Sequence, residues 1–407
     1  MKNQTASFII SAQGRTALEE LASDPSALLP NRELTTLDRL RRRYSPEEAA
    51  ALLEVALSRQ RAIRQAKFSQ ASAMFFTRNG LEQSSGEAVA DYRAARLSRV
   101  LPPGTTLADL GCGIGGDSLA LARYFHVTGV DLDEARLVFA QANLAVYNRT
   151  ENFRPLLANL TQLNLADYQA LFFDPARRTS EGKRLFSVED YKPPLAVIHQ
   201  WLPQVQEIGV KISPGVDYRQ LDAYECEIET ISDKGEVKEA VLWFGGLRSK
   251  EVRHRATLLP GGDTLINLPP AEKPPVPSGL PLAYLYEPDG AVIRAGLVEE
   301  LALELGGLRK LDPEIAYLTS EARLETPFAR TFRIDESLPF NLKKLNRRLQ
   351  ELQVGRVTIK KRGSPLDPQQ LEHALKLKGD QHLTLVLTHV LGKHTVLLCD
   401  SSMKLNF

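Results

Sequence analysis

The chain of 407 residues is 43% hydrophobic and 25% charged, which excludes a disordered or fibrous polymer and leaves room for two or three domains. Fifty-one Lys and Arg against fifty Asp and Glu give a formal net charge of +1, a total that by itself argues against a nucleic-acid partner but can hide an asymmetry between domains. Three separated cysteines (Cys112, Cys226, Cys399) make neither a disulfide framework nor a zinc site, and no apolar run reaches the roughly 18 residues of a membrane span.

The opening MKNQTASFIISAQG holds too short an apolar stretch for a signal peptide, so a cytoplasmic protein with no membrane attachment and no metal is expected. Residues 1–100 read as a helical region. Ser45-Pro46-Glu47-Glu48 is a capping box with proline at the first helical position, opening an Ala/Leu-rich helix to about Gln65. Ser84 to Glu87 has the same spacing and predicts a second helix through about Arg99. From Thr105 the pattern changes. TTLADL, HVTGVD, FRPLLA, ALFFD and EIGVKI are short apolar runs with helical segments between several of them, the mark of βαβ units in a mostly parallel sheet over residues 101–247. ECEIETIS and KEAVLWFG, joined by Asp233-Lys234-Gly235, predict a hairpin that closes this sheet at one edge.

Residues 260–281 hold seven of the 24 prolines, so 248–281 is expected as an extended linker. Residues 282–328 read as a small α+β segment. Residues 329–407 form a further domain in the order strand, helix, strand, helix, strand, strand. Its first helix carries Leu342, Leu345, Leu349 and Leu352 on one face and Lys343, Lys344, Arg347 and Arg348 on the other. LTLVLTHV and HTVLLC pair across a turn at Gly392-Lys393.

The most specific motif is LADLGCGIGGDS, residues 107–118. A strand ends at Leu110, glycines follow at 111, 113, 115 and 116, and a helix starts near Asp117. Such glycines permit tight turning and close approach of backbone N–H groups to a ligand, and the helix N-terminus favours negative charge. Gly111-x-Gly113-x-x-Gly116 also satisfies a dinucleotide fingerprint, so a nicotinamide-dependent oxidoreductase stays open on this loop alone. Asp109 weighs against it, because a carboxylate inside the turn repels a pyrophosphate and pairs with the ammonium group of a methionine moiety. Asp131, ending the second strand in VTGVDLD, sits where an acidic side chain accepts both ribose hydroxyls of a nucleoside, whichever cofactor carries it. In FFDPARR (172–178), Asp174-Pro175 belongs at the carboxyl edge of the sheet, where a carboxylate and a backbone carbonyl can orient an exocyclic amine toward a sulfonium methyl group. Arg177 and Arg178 can hold phosphate or carboxylate groups of a substrate.

DLGCGIGGD, GVDLD, FFDPARR and KISPG, in this order and spacing, resemble class I S-adenosylmethionine-dependent methyltransferases. FFTRNGLEQ, EVKEAVLWFG, YEPDGAVIRAG and VTIKKRG resemble further blocks of the bacterial members with a C-terminal THUMP-like domain, and the likeness runs from about Lys67 to Cys399. It implies an α/β fold: a Rossmann-like class I methyltransferase sheet with an N-terminal helical region and a C-terminal α+β domain, ferredoxin-like or THUMP-like. It implies S-adenosyl-L-methionine as cofactor, with Asp109, Gly111, Gly113 and Gly115 as the methionine-side loop, Asp131 on the ribose and Asn159 near the adenine, where Asp is more usual. Asp174 and Pro175 take the catalytic place of the D/N-P-P-Y/F motif of amino-methyltransferases, but Ala176 and Arg177 replace the second proline and the aromatic. The residue that would stack on a target base is therefore missing there, and Phe75, Phe76 or Tyr92 are the candidates to supply it. Lys211 and Ser213 of KISPG are expected to line the pocket.

By segment the charge is uneven. Residues 331–407 contain thirteen Lys and Arg and seven Asp and Glu, an excess of +6 that leaves −5 for residues 1–330. A basic domain beside an acidic body is a nucleic-acid footprint, with Lys360, Lys361 and Arg362 at a strand end and the Lys343–Arg348 helix face as phosphate contacts. THUMP is an RNA-binding module, so the resemblance also implies a structured RNA, tRNA or rRNA, as partner. His373, His382, His389 and His394 have no cysteine cluster beside them and read as surface residues, not metal ligands. The expected activity is methyl transfer to a nitrogen of such an RNA. The alternatives are a methyltransferase acting on a protein or small molecule, and a non-catalytic RNA-binding protein that retains a cofactor pocket.

Overall fold

In the computed structural model, which describes residues 1–177, 183, 185–269 and 273–400, the first hundred residues fold as helices α1 (Asn3–Ile10), α2 (Ala12–Ser23), α3 (Glu33–Arg41), α4 (Pro46–Arg64), α5 (Arg78–Gln83) and α6 (Glu87–Ser98). The box at the start of α4 forms as expected: Ser45 Oγ accepts from Glu48 N at 3.3 Å, and the Glu48 carboxylate accepts from Ser45 N at 3.0 Å. The one expected at Ser84–Glu87 does not. Ser84 Oγ donates back to Leu81 O and closes α5, Gly86 becomes the first residue of the α6 cap, and Glu87 accepts from Ser69 N and Oγ at 2.5 and 2.9 Å.

The α/β alternation follows as β1 (Thr106–Leu110), α7 (Gly116–Leu121), β2 (His126–Asp131), α8 (Glu134–Val146), β3 (Phe153–Leu157), β4 (Ala170–Phe173), α9 (Ile198–Trp201) and β5 (Glu207–Ile212), and then β6 (Glu227–Asp233) and β7 (Glu236–Trp243). The chain divides into two units, Met1–Glu227 with Glu239–Ser249, and Ile228–Lys238 with the residues from Lys250 onward. In the first, the strand order is β3-β2-β1-β4-β5-β7, with β1 to β5 parallel and β7 antiparallel to β5. Strands β1, β2, β4 and β5 are almost wholly buried because inner parallel strands are covered on both faces, whereas β3, at the edge, is largely half-exposed. Connections run outward in opposite directions from β1 and β4, so the crevice between their carboxyl ends is the switch point where α/β ligands bind.

One buried side chain ties the helical region to this crevice. Asn143 in α8 accepts from Phe75 N at 2.7 Å and donates to Phe75 O and to Ile114 O, each at 3.0 Å. It clamps the strand of residues before α5 onto the glycine loop.

In the second unit, Lys234 and Gly235 form the expected tight turn after β6, both with positive φ (+53° and +78°). The hairpin does not close a sheet at its edge, however. β6 pairs in parallel with β8 (His254–Leu259), which pairs antiparallel with β9 (Asp263–Ile266). These strands lie within 248–281, where a linker was expected. Ala256, Leu258 and Leu265 alternate inward and bury against α10 (Gly290–Arg294) and α11 (Val298–Leu305), a packing that the nearby prolines obscure in the sequence.

The remaining strands are β10 (Tyr284–Pro288), β11 (Arg309–Asp312), β12 (Ile315–Ser320), β13 (Ala329–Pro339), β14 (Val354–Lys361), β15 (Gln381–Val390) and β16 (Lys393–Asp400), with α12 (Leu342–Glu351) and α13 (Pro368–Ala374) between them. They form one sheet in the order β11-β12-β10-β13-β16-β15-β14. Strand β13 pairs with β10 through Ala329–Arg333 and with β16 through Ile334–Pro339, so residues 282–328 and 329–407 share a sheet. The final turn is Leu391-Gly392, one residue earlier than expected, since Val390 pairs with Lys393.

Substituting Asn143 by Ala leaves the backbone groups of Phe75 and Ile114 without their partners in a dry environment. Urea unfolding should show a loss of about 3 kcal/mol.

Candidate active site

Leu110 and Phe173 are the last registered pair of β1 and β4, so Gly111 and Asp174 leave the sheet side by side. Gly111 turns with φ +87°, and a Cβ there would stand 2.8 Å from the Asp174 carbonyl oxygen, which forbids any larger residue. Gly113 has φ +56°, and a Cβ there would meet nothing within 4 Å, so this peptide presents an open face. Gly113 N donates to Asp131 Oδ2 at 3.0 Å. Asp131 Oδ1 accepts from Asp133 N at 2.9 Å, and the Arg136 guanidinium lies 3.7 Å from Oδ2. The loop glycines and the carboxylate at the end of β2 are thus one hydrogen-bonded unit. Gly115 caps α7 and packs on Ala140 and Leu144 of α8.

Beneath the loop lies a buried cluster of charge. Asp109 Oδ2 accepts from Ser118 Oγ at 2.5 Å, while Oδ1 is buried with no donor. Burial, reinforced by the negative charges of Asp117 and Asp174, pushes the Asp109 carboxyl up to about 8. Asp174 Oδ2 accepts from Lys211 Nζ at 2.8 Å. The Arg177 guanidinium is 3.3 Å from Asp174 Oδ1 but out of hydrogen-bond alignment, so this oxygen too is buried without a donor. Lys211 Nζ also donates to Ser85 Oγ at 2.9 Å. Arg93 of α6 donates to Asp117 Oδ1, to Glu239 Oε1 and to Ser85 Oγ, and its guanidinium stacks 5.2 Å from the centre of the Phe172 ring. Burial pushes Asp117 up, but Arg93, Lys211 and the Ser85 hydrogen bond outweigh it and hold its carboxyl below the ordinary range. Four carboxylates (Asp109, Asp117, Asp174, Glu239) therefore face two buried cations (Arg93, Lys211).

Asp109, Gly111, Gly113, Asp131, Asp174 and the buried Pro175 converge on the switch point, with Arg177 at its rim. Lys211 is there as well, but in a different position from that expected of a substrate contact. It is only 4% exposed and both its recorded hydrogen bonds go to Asp174 and Ser85, so it is a counter-charge beneath the site. Asn159 is exposed, and its carbonyl oxygen already accepts from Thr161 N and Oγ1 at 3.1 and 2.9 Å. Ser213 N donates to the buried Tyr191 hydroxyl at 3.3 Å. Phe75 and Phe76 are fully buried core residues and present no face to a base, while Tyr92 is half-buried. Arg178 lies outside the described residues.

In the C-terminal sheet the Lys360-Lys361-Arg362 run is divided, because neighbouring residues of a strand point to opposite faces. Lys360 pairs with Glu287 at 2.6 Å, Lys361 donates to Leu366 O at 3.0 Å, and Arg362 lies over the Tyr317 ring. It does not form a single cationic surface.

Ser85, Arg93, Asp117 and Glu239 were not anticipated as parts of the site. For Arg93 a signal exists: it falls on the buried stripe Val89, Ala90, Ala94, Leu97 of α6, where an unpaired guanidinium is untenable. Its carboxylate partners are 24 and 146 residues away, so the sequence shows the anomaly and not its resolution.

Because the folded state holds the Asp109 proton up to about pH 8 while the unfolded chain releases it near its ordinary value, stability contributed at this residue falls as pH rises through that window. In the cofactor-free protein, Asp109→Asn should flatten the loss of stability between about pH 5 and about pH 8, as read by chemical denaturation at each pH.

Residues 107–174 match the methyltransferase domain family, residues 329–401 match the THUMP domain-like family, and residues 3–62 match a domain of unknown function. Two Mycobacterium tuberculosis proteins, from strains CDC 1551 and H37Rv and each described as an uncharacterized S-adenosylmethionine-dependent methyltransferase, are 35% identical to it over 323 residues, 78% of this chain and 86% of theirs. The crystal structure of a Porphyromonas gingivalis W83 protein assigned as a methyltransferase is similar with a TM-score of 0.76 at 25% identity, over 96% of this chain and 99% of that one. The cofactor of this group is S-adenosylmethionine, and the residues present fit it: the buried Asp109 Oδ1 has no donor and would suit an ammonium group, and a Cβ at Gly113 would meet nothing within 4 Å. On its sequence, its sheet and its matched domains, the chain belongs to the S-adenosylmethionine-dependent methyltransferases with a C-terminal THUMP-like domain.

Proposed function

We propose that this methyltransferase modifies a nitrogen of a structured RNA, tRNA or rRNA. S-adenosylmethionine supplies a methyl group on a positively charged sulfur, already activated toward a nucleophile. Asp109 Oδ1 takes the ammonium group, the Gly111–Gly115 loop encloses the methionine end, and Asp131 accepts from the ribose hydroxyls with lone pairs that its backbone partners do not use. Since the Asn159 oxygen is engaged by Thr161, Asn159 meets the adenine as a donor.

The observation that carries the choice of nitrogen is the bare Oδ1 of Asp174, whose other oxygen is fixed by Lys211. A carboxylate held in this way accepts an amine N–H and leaves the nitrogen lone pair aimed away from it. The nitrogen then bonds the methyl carbon as the carbon–sulfur bond breaks, and the amine proton is lost toward the carboxylate. Little acid–base assistance is needed, so positioning and a fixed electrostatic environment do most of the work.

RNA is favoured by the THUMP domain-like match and by the helix that it contains. Leu345 and Leu349 bury one side of α12, and Lys343, Lys344 and Arg347 are exposed on the other. Arg348 is held by Glu336 and Glu351 at 2.6 and 3.0 Å and is less available.

With RNA from cells lacking the protein as acceptor, labelled methyl transfer should fall about a hundredfold or more in Asp174→Ala. Replacing Lys343, Lys344 and Arg347 together by Ala should weaken RNA binding at every sequence and reduce the slope of log affinity against log salt by roughly two. A protein that binds the cofactor yet methylates no RNA fraction overturns the choice of RNA as acceptor and leaves a protein or small-molecule acceptor, or an RNA-binding protein that only retains the cofactor pocket.

A further inference from the structure

Ser85 belongs to none of the motifs that mark the methyltransferase domain. It lies between α5 and α6, in the N-terminal helical region, and is buried. A serine hydroxyl has one proton to donate and two lone pairs to accept with, and here all three are used. Arg93 Nη2 and Lys211 Nζ donate to Oγ at 2.8 and 2.9 Å, and Oγ lies 3.0 Å from Asp117 Oδ2. Since neither cation can accept, the single proton must point to Asp117, and the two lone pairs are fixed toward Arg93 and Lys211.

We propose that Ser85 is a positioning residue of the methyl-transfer site: its saturated hydroxyl holds the Lys211 ammonium against Asp174 Oδ2, and so keeps Asp174 Oδ1 bare and aimed for the acceptor amine. The proposal rests on the role given to Asp174 above. Lys211 has two recorded acceptors, Ser85 and Asp174, in a dry environment. Burial drives its ammonium toward the neutral amine, Asp174 and Asp117 oppose this, and Arg177 and Arg93 add to it. Taking away the Ser85 lone pair removes one of the groups that keep the proton on Lys211. Lys211 then loses its charge at lower pH, and Asp174 loses the donor that orients it.

The test reads Lys211 directly in the full-length, cofactor-free protein, by carbon-13 NMR of lysine labelled at Cε, with its signal assigned by its loss in Lys211→Arg. In Ser85→Ala the Lys211 signal should titrate at lower pH than in the unsubstituted protein, and the high-pH limb of methyl transfer should move in the same direction. Ser85→Thr, which keeps the hydroxyl, should restore both. Ser85→Cys, close in size but a poor acceptor, should behave as Ser85→Ala and serves if the alanine variant does not fold. A merely structural role would lower activity evenly across pH and leave the Lys211 titration in place; that result in a folded variant overturns the proposal. A shifted titration with no RNA fraction methylated leaves Ser85 as assigned and overturns the choice of RNA.

Discussion

Carboxylates buried at the end of a parallel sheet are stable only where fixed cations and donors replace the water they have lost. The cluster beneath the glycine loop holds four (Asp109, Asp117, Asp174 and Glu239), and Arg93 and Lys211 are the buried cations that answer them. Arg93 reaches the cluster from α6, bridging Asp117 beside the glycine loop and Glu239 on β7. The N-terminal helices therefore supply part of the electrostatic floor of the catalytic sheet. Removing that guanidinium would leave two buried carboxylates without the cation that pairs with them.

The cluster is not neutralised, and the imbalance has a direction. Asp117 and Glu239 are paired, whereas Asp109 and Asp174 each keep one oxygen without a donor. Asp109 lies one residue before the end of β1 and Asp174 just past the end of β4, so the two carboxyls belong to adjacent strands at the crevice. A cofactor with a positive ammonium group and a positive sulfur is complementary to such a surplus. The same arrangement explains why the Asp109 carboxyl is pushed up: burial strips it of water, and the negative charges of Asp117 and Asp174 add to the effect.

The C-terminal unit answers a different constraint. Its strand β13 is long enough to pair with β10 along its first half and β16 along its second, so a single strand carries two stretches that differ in composition. Runs of lysine and arginine in the sequence overstate its cationic surface, because strand alternation sends Lys360 to Glu287, 73 residues earlier in the chain. On α12 the periodicity of 3.6 keeps Lys343, Lys344 and Arg347 on one exposed side, and the helix is the more coherent basic surface.

Local pattern was enough for the elements that depend on neighbours in the chain. The glycine loop, the alternating strands and helices, the capping box at Ser45 and the amphipathic α12 are all set by short-range sterics, periodicity and hydrogen bonding within a few residues. The β8–β9 pair is hidden because the surrounding prolines mask the inward positions of Ala256, Leu258 and Leu265, and the Ser84 box fails because Ser84 ends α5 while the cap of α6 falls two residues later, at Gly86. What the sequence by itself determined was which residues turn, cap and alternate, and hence the fold and its family. What only the tertiary structure decided was which charges meet. Lys211 lies under Asp174 and not on a surface, and Ser85 and Arg93 join the site from another region of the chain, because the pairing of buried charges depends on distances in space that sequence separation does not encode.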